Sequence, residues 1–394
     1  MRIVMIGPFG LRPKGTMAGR ALPLATRLTA RGHQVTILMP PWSNPEDSGR
    51  AHTLQGVRIE NVTLPTRLPL VFHALTTSRL VQRSLSLKPD VIHCFKPKAY
   101  AGLTAWWLWQ LKRFRLSAAR LIVDADDWEG AGGWNDREPY SWAQRRLFAW
   151  QEQWGLRHAD ALTVASRALE SIVWSMGVRR SKVFYVPNGA EAAQQPTGDE
   201  IRRARQRSAP PTLLLYTRFV EFQLARVLDV FRIVSQTVPD LHMLVVGKGL
   251  HGEERELRDQ ASAMGWGKRI DYRGWPVDLP AAFACANVAI VPFDDTLLNR
   301  TKCSVKLIEM LAAGVPVVAD AVGQNVEYIR HQATGVLVPS GNAAAMAEAV
   351  IDLLHDPLRA QAMGQASAIF MREHFSWDRL AETVERAYGD GSPR

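Results

Sequence analysis

Apolar positions along this chain follow two rhythms. Runs of four to six apolar residues alternate with longer stretches in which apolar positions recur every three or four residues. The first rhythm marks buried strands and the second marks helices. Residues 2–7 read as a first strand that breaks into a loop punctuated by Gly7, Pro8, Gly10, Pro13 and Gly15 before Thr16. A helix over 16–30 stops at Gly32, and a second strand covers 34–39. Strands at 57–64, 90–95, 120–125, 161–165 and 183–186 follow, with helices at 70–87, 99–116, 140–158 and 167–176 between them. Pro187-Asn188-Gly189 is a turn signal. The series then restarts. Strands at 213–217, 241–246, 269–272, 288–292, 315–319 and 336–338 alternate with helices, and three further helices run to about residue 388.

The pattern is interrupted once. Residues 191–211 are polar and basic, with Arg202, Arg203, Arg205 and Arg207, and close on Pro210-Pro211. This is the best linker in the chain. It divides a domain over 1–190 from one over 212–375, and leaves a last helix over 376–394 to pack back toward the first. Two strand–helix series of this kind imply an α/β fold of two doubly wound, Rossmann-like domains facing a cleft. A length of 394 residues agrees with two cores rather than one.

Composition narrows the class. The chain is 47% hydrophobic and 22% charged, which is globular. Its net charge of +10 favours an anionic partner such as a nucleotide, an anionic lipid surface or a nucleic acid. Cys94, Cys285 and Cys303 stand far apart, without metal or disulfide spacing. That suits a reducing, cytoplasmic setting. The N-terminus reads as a strand rather than a signal peptide, and no run approaches the roughly 18 apolar residues of a spanning helix. Residues 106–115, Trp-Trp-Leu-Trp followed by Lys112, Arg113 and Arg115, read either as an interfacial contact with an anionic membrane or as a core helix with a basic end.

The candidate chemistry gathers at the ends of strands. Residues 302–320 read as loop, helix, turn and strand. Ser304 is an N-cap, Val305, Ile308, Leu311 and Ala312 form an apolar face, and Gly314 stops the helix. Lys306 and Glu309 lie one turn apart on the same side. Amides and a lysine at a helix start suit a diphosphate, and a carboxylate accepts from ribose hydroxyls. A plain surface ion pair is the alternative. Asp124, Asp126, Asp127 and Glu129 crowd the end of a predicted strand. They read as a D-x-D metal site, as a wall that binds sugar hydroxyls or supplies a base, or as capping residues, and the second reading fits best. No G-x-G-x-x-G follows any strand, so a nicotinamide oxidoreductase is disfavoured.

In order and spacing these pieces resemble the family 4 (group 1) glycosyltransferases, which have the GT-B fold. The resemblance is strongest over 213–338 and rests on Arg218 at a strand end, Val246-Gly247-Lys248-Gly249, Arg273-Gly274-Trp275, Val291-Pro292-Phe293 and the run from Lys306 to Val318. It implies a retaining transfer from a nucleotide-diphosphate sugar to a glycan, lipid-linked or small-molecule acceptor, with no metal cofactor and no nucleic-acid partner. It assigns the donor ribose to Glu309, and the phosphates to the helix start at Ser304, Val305 and Lys306 with Lys302 beside it. The departing diphosphate goes to Arg218, the base to the turn at Gly274, Trp275 and Pro276, and donor contacts also to Gly247 and to the loop ending at Gly15 and Thr16. Asp127 is the candidate on the acceptor side, with Asp126 as its alternate. Two positions depart from the family pattern. Thr301 stands where a first acid is expected, and Gln223 where a lysine is expected. Arg300, Lys302 and Lys306 are candidates for the missing charge. A sugar-binding GT-B-like protein without catalysis and a nucleotide-sugar epimerase remain the rivals.

Overall fold

A computed structural model describes residues 1–12, 15–66, 71–191, 210–275 and 278–389. Most of the expected linker, Pro13 of the glycine loop, Leu70 and Pro276 lie outside the described residues. The chain forms two compact units. The first holds Met1–Gly189, Thr301–Cys303 and Trp377–Gly389, and the second holds the remaining described residues.

Near-continuous apolar runs build the first sheet. Its eight strands are β1 (Arg2–Ile6), β2 (Gln34–Met39), β3 (Ala51–Leu54), β4 (Val57–Asn61), β5 (Val91–Phe95), β6 (Arg120–Ala125), β7 (Ala161–Val164) and β8 (Val183–Tyr185). They lie in the order β3-β4-β2-β1-β5-β6-β7-β8, parallel except for β3, which runs antiparallel to β4 at the edge. The sequence pattern missed β3. All four of its residues are exposed, so it carries no apolar alternation to find. The helix expected over 16–30 is a π-helical turn, Met17–Ala21, followed by the α-helix Leu22–Ala30. The wider turn carries Arg20 into the core. On the same face, Trp377, Leu380, Ala381, Val384, Ala387 and Tyr388 of the last helix are all buried.

The second sheet has six parallel strands: β9 (Thr212–Thr217), β10 (His242–Gly247), β11 (Ile270–Gly274), β12 (Val288–Val291), β13 (Val317–Asp320) and β14 (Val336–Val338). Their order is β11-β10-β9-β12-β13-β14. The reversal of strand order about β9, with β10 on one side and β12 on the other, is the switch point at which doubly wound sheets bind ligands beyond the strands' carboxyl ends. Helices Leu224–Thr237 and Ala343–His355 cover one face with Val227, Phe231, Met346 and Val350. The helix Pro357–His374 meets the end of the helix Val305–Ala312 through small residues. A Cβ at Gly364 would fall 2.1 Å from the Gly314 carbonyl oxygen, and Ser367 Oγ donates to the Leu311 carbonyl at 2.9 Å.

Candidate active site

In the second unit the site begins at the helix Val305–Ala312. Ser304 holds extended backbone (φ −74°, ψ 105°), and its Oγ accepts from the Leu307 amide at 3.4 Å. The cap therefore lies where the sequence puts it. Leu307, Ile308, Met310 and Leu311 form the buried face, whereas Val305, expected on that face, is exposed. Half-buried Lys306 lies with its Nζ 5.4 Å from the centre of the Tyr216 ring and 5.3 Å from that of Trp275. The two rings meet edge to face at 6.1 Å and 81°. The Glu309 carboxylate neighbours the Tyr216 hydroxyl, which favours its charged form. Its Oε2 is buried and has no hydrogen-bond partner among the described residues. Burial raises the pKa of Glu309, against the pull of the Tyr216 hydroxyl and then of Lys306. Burial and the Glu309 charge keep Tyr216 protonated.

The neighbouring strand ends close on one another. Gly247 has φ +130°, and a Cβ there would fall 1.8 Å from the Thr217 carbonyl oxygen, so only glycine lets the ends of β9 and β10 approach this closely. Tyr272 donates its hydroxyl to the Gly247 carbonyl at 2.6 Å. Arg218, half-buried, follows β9 directly. The chain turns just after it, with Phe219 at φ +64° and its amide donating to Thr217 Oγ1 at 2.8 Å. A bulky residue at positive φ is strained backbone, held here by that bond. Gly274 ends β11 at φ +66°, and Trp275 beyond it is half exposed.

Sequence reasoning missed a buried ion group at these strand ends. Arg226 places Nη1 2.7 Å from Asp320 Oδ2 and Nη2 3.2 Å from Asp294 Oδ1, and the Phe293 amide donates to Asp320 at 2.6 Å. Burial pushes Asp320 up to about 6, with Arg226 pulling the other way. The available signal was an acid closing an apolar strand. Arg300, a candidate for the missing charge, is instead paired two-pronged with exposed Asp295 at 2.5 and 2.7 Å. Gln223 is exposed at the start of the helix Leu224–Thr237 and makes no side-chain cap there.

In the first unit the acids at the end of β6 divide into two groups. Lys96 Nζ lies 3.4 Å from Asp126, 3.3 Å from Asp127 and 3.2 Å from Glu129. Burial opposes the lysine's charge, but the three carboxylates outweigh it and raise its pKa. Lys98 pairs with Glu129 and lies 4.4 Å from the centre of the Tyr140 ring. Thr16 Oγ1 donates to Asp126 at 2.8 Å, while Gly15 is exposed with open space beside it. Asp127 is raised by burial first, with Lys96 pulling down and Asp126 and Glu129 pushing up. Lys302 belongs to this unit, nearly buried, its Nζ 5.7 Å from the centre of the Trp134 ring. Among the described residues no cluster of His, Cys, Asp and Glu is arranged to hold a metal ion. Lys96-Pro97-Lys98 follows β5 directly. Lys96 is the hub, held at φ +58°.

Asp124 faces the other way, into the core. Arg20 donates to it from Nε at 2.8 Å and from Nη2 at 2.6 Å, and to Asn188 from Nη1 at 3.2 Å. Asn188 donates to the Cys303 carbonyl at 3.0 Å, and Ser166 Oγ donates to the Thr301 carbonyl at 2.8 Å. On the far side of Asp124, Thr163, His93 and Tyr388 continue the chain, with His93 2.9 Å from the Tyr388 hydroxyl. Burial first, then the Arg20 charge, pushes His93 down to about 3, so it is neutral across the working range. Thr301 is fully buried. A carboxylate there would require its own partner.

Glu152 gives a pH prediction. Burial pushes it up to about 8, while the Glu129 amide donates to its Oε1 at 2.8 Å. The folded state therefore keeps a proton that the unfolded state releases near 4.5. Stability falls as pH rises across that window and levels above about 8. Glu152→Gln keeps the acceptor without the charge. Thermal unfolding from pH 5 to 9 is expected to show the variant gaining on the parent, by about 2 kcal/mol or more at pH 8. A constant difference across this range would refute the assignment.

Comparison with known proteins agrees with this arrangement. Residues 15–189 match the glycosyl transferase 4-like domain, and residues 210–356 match the glycosyl transferases group 1 domain. The phosphatidyl-myo-inositol mannosyltransferase of Mycobacterium leprae is 26% identical over 98% of this chain and 96% of its own. The GDP-mannose-dependent alpha-(1-6)-phosphatidylinositol monomannoside mannosyltransferase of Mycolicibacterium smegmatis is 28% identical over 90% and 91%. The fold matches that of sucrose-phosphate synthase from Thermosynechococcus elongatus, with a TM-score of 0.73 and 21% identity over 98% of both chains. Two family matches in succession, full-length relatives and the shared fold lead to one conclusion: the chain belongs to the group 1 (family 4) glycosyltransferases of GT-B fold.

Proposed function

We propose that this glycosyltransferase is a retaining enzyme that carries a hexose from a nucleotide-diphosphate sugar to a lipid-linked acceptor. The cluster of Glu309, Tyr216, Lys306 and Trp275 carries the reading. A buried carboxylate oxygen without a donor suits a ribose hydroxyl, and the half-exposed Trp275 suits a base. The donor's diphosphate lies at the positive end of the helix Val305–Ala312. Lys306 and Arg218 stabilise the charge that builds on it as the glycosidic bond breaks. These fixed cations take the place of a metal ion. Asp127, in the acid cluster around Lys96, orients the acceptor hydroxyl.

The relatives' names support GDP-mannose as the first donor to try. The decisive assay incubates the protein with UDP-, GDP- and ADP-sugars. Binding and slow hydrolysis of one of them is expected, and neither with any of them would count heavily against the reading. Conversion of the donor to its epimer would favour the epimerase instead.

The lipid-linked acceptor is supported by exposed aromatic and basic residues of the first unit. Helices Val71–Ser86 and Trp142–Arg157 both pack against Ala99–Arg113. Trp107, Phe114, Leu116, Trp142 and Trp150 are exposed on this group, Phe114 and Trp142 by about three-quarters. Arg113 and Arg115 are exposed on either side of Phe114, and Arg145 and Arg146 are exposed beyond Trp142, Arg146 lying over its ring. Apolar rings beside arginines suit the interface of an anionic membrane. No described helix is long and apolar enough to cross a bilayer. The protein is thus proposed to work from the cytoplasm, at the inner face of the membrane. Vesicles of phosphatidylinositol and phosphatidylcholine are expected to co-sediment the protein at low salt and release it as salt rises. Failure to sediment would remove the membrane from this reading.

A further inference from the structure

Tyr216 was not among the residues that sequence reasoning singled out, yet it touches both charges of the donor half-site. It lies next to last in β9, two positions before Arg218. Its hydroxyl neighbours the Glu309 carboxylate, and the centre of its ring lies 5.4 Å from Lys306 Nζ. The ring is nearly buried and braced by Trp275 at 6.1 Å and Phe283 at 5.8 Å. We infer that Tyr216 is the positioning residue of the donor site: its hydroxyl fixes Glu309 for the ribose, and its ring seats Lys306 for the diphosphate. The inference rests on the donor reading above and adds to it the residue that sets both contacts.

A carboxylate given a single donor is held in one orientation, which leaves Oε2 for a hydroxyl of the ligand. An ammonium between two aromatic faces is attracted to both, and a lysine stem loses its freedom to swing away. Two charged groups that must meet a diphosphate and a ribose at once are therefore organised by one rigid side chain on a central strand. Sites placed on rigid elements keep their geometry better than sites on loops.

The two functions separate by substitution. Tyr216→Phe removes the hydroxyl and keeps the ring. Tyr216→Leu removes both. The probes are UDP, GDP and ADP, titrated calorimetrically, together with turnover of the matching sugar donor. For Tyr216→Phe, Kd of the nucleoside diphosphate is expected to rise about tenfold, the usual cost of a bond to a charged group, with a smaller change in kcat. The pH dependence of binding moves as well. Tyr216 and Lys306 are the groups that hold the Glu309 charge, so loss of the hydroxyl shifts the acid limb of the Kd profile to higher pH. In a Glu309→Gln background the Tyr216→Phe effect is expected to shrink to about twofold or less. Tyr216→Leu lowers kcat further, because Lys306 loses one face of its seat. Equal effects of Tyr216→Phe with and without the Glu309 carboxylate, or an unmoved pH profile, would overturn the inference. If none of the three nucleotides binds the parent protein, the donor reading itself fails, which is a different result.

Discussion

Lys306→Ala is expected to lower kcat by about 10²-fold or more, with a smaller change in donor KM, in initial-rate measurements at saturating donor. The departing diphosphate acquires negative charge in the transition state. A preorganised cation at that oxygen is worth far more there than in water. Three cations were candidates on the sequence, and their environments differ. Arg300 is engaged by exposed Asp295. Lys302 is nearly buried in the first unit beside Trp134. Lys306 stands in the first turn of the donor helix, on the same side as Glu309. Gln223 supplies no charge, so more of the stabilisation rests on Lys306 and Arg218. Arg300→Ala is the contrasting control and should leave turnover within about twofold. An unchanged rate in Lys306→Ala would exclude it from leaving-group stabilisation.

Asp124→Ala should be the most damaging single change to stability. Arg20 is 2% exposed and Asp124 is fully buried. Burial works against the Arg20 charge, and Asp124 more than offsets it. Removing the carboxylate leaves a buried cation with the Asn188 side chain and the Val186 carbonyl as hydrogen-bond partners and the Asp126 charge nearby. The cost of such a stranded charge is about 3–5 kcal/mol, and thermal unfolding should fall by roughly 10 °C. An Arg20→Met, Asp124→Leu pair should recover much of the loss, because apolar replacement of both partners removes the burden of burying charge. A single variant that unfolds with the parent would show that the pair contributes nothing to holding the first unit together.

The parts of the site that could be read from sequence are those governed by local rules. Ser304 as a cap, Gly314 as a stop and the positive turn at Gly274 follow from the chemistry of single residues. The two sheets follow from apolar runs that parallel strands demand. What escaped was set by tertiary partners. The acids 124–129 look alike in sequence, but their fates differ. Asp124 turns to Arg20, which a π-helical turn no periodicity foretells has swung into the core. Asp126, Asp127 and Glu129 turn to Lys96. Tyr216 escaped for a related reason: in a buried strand an aromatic residue is unremarkable, and only the fold brings Glu309 to its hydroxyl. Val305 is the opposite error. Helical spacing placed it on the apolar face, but a residue next to the cap has half a turn less of neighbour to cover it, and it is exposed.

The last helix carries a consequence for how the protein is made. Trp377, Leu380 and Val384 close one face of a sheet whose other strands end at Tyr185, and Tyr388 bonds to His93 in its centre. On a ribosome, the first unit must therefore wait for the whole second unit to be translated before its missing wall arrives. At ordinary elongation speeds that delay lasts about 10–40 s. During it, the apolar surface destined for Trp377 stays uncovered, which makes the nascent chain a natural client for a holding chaperone.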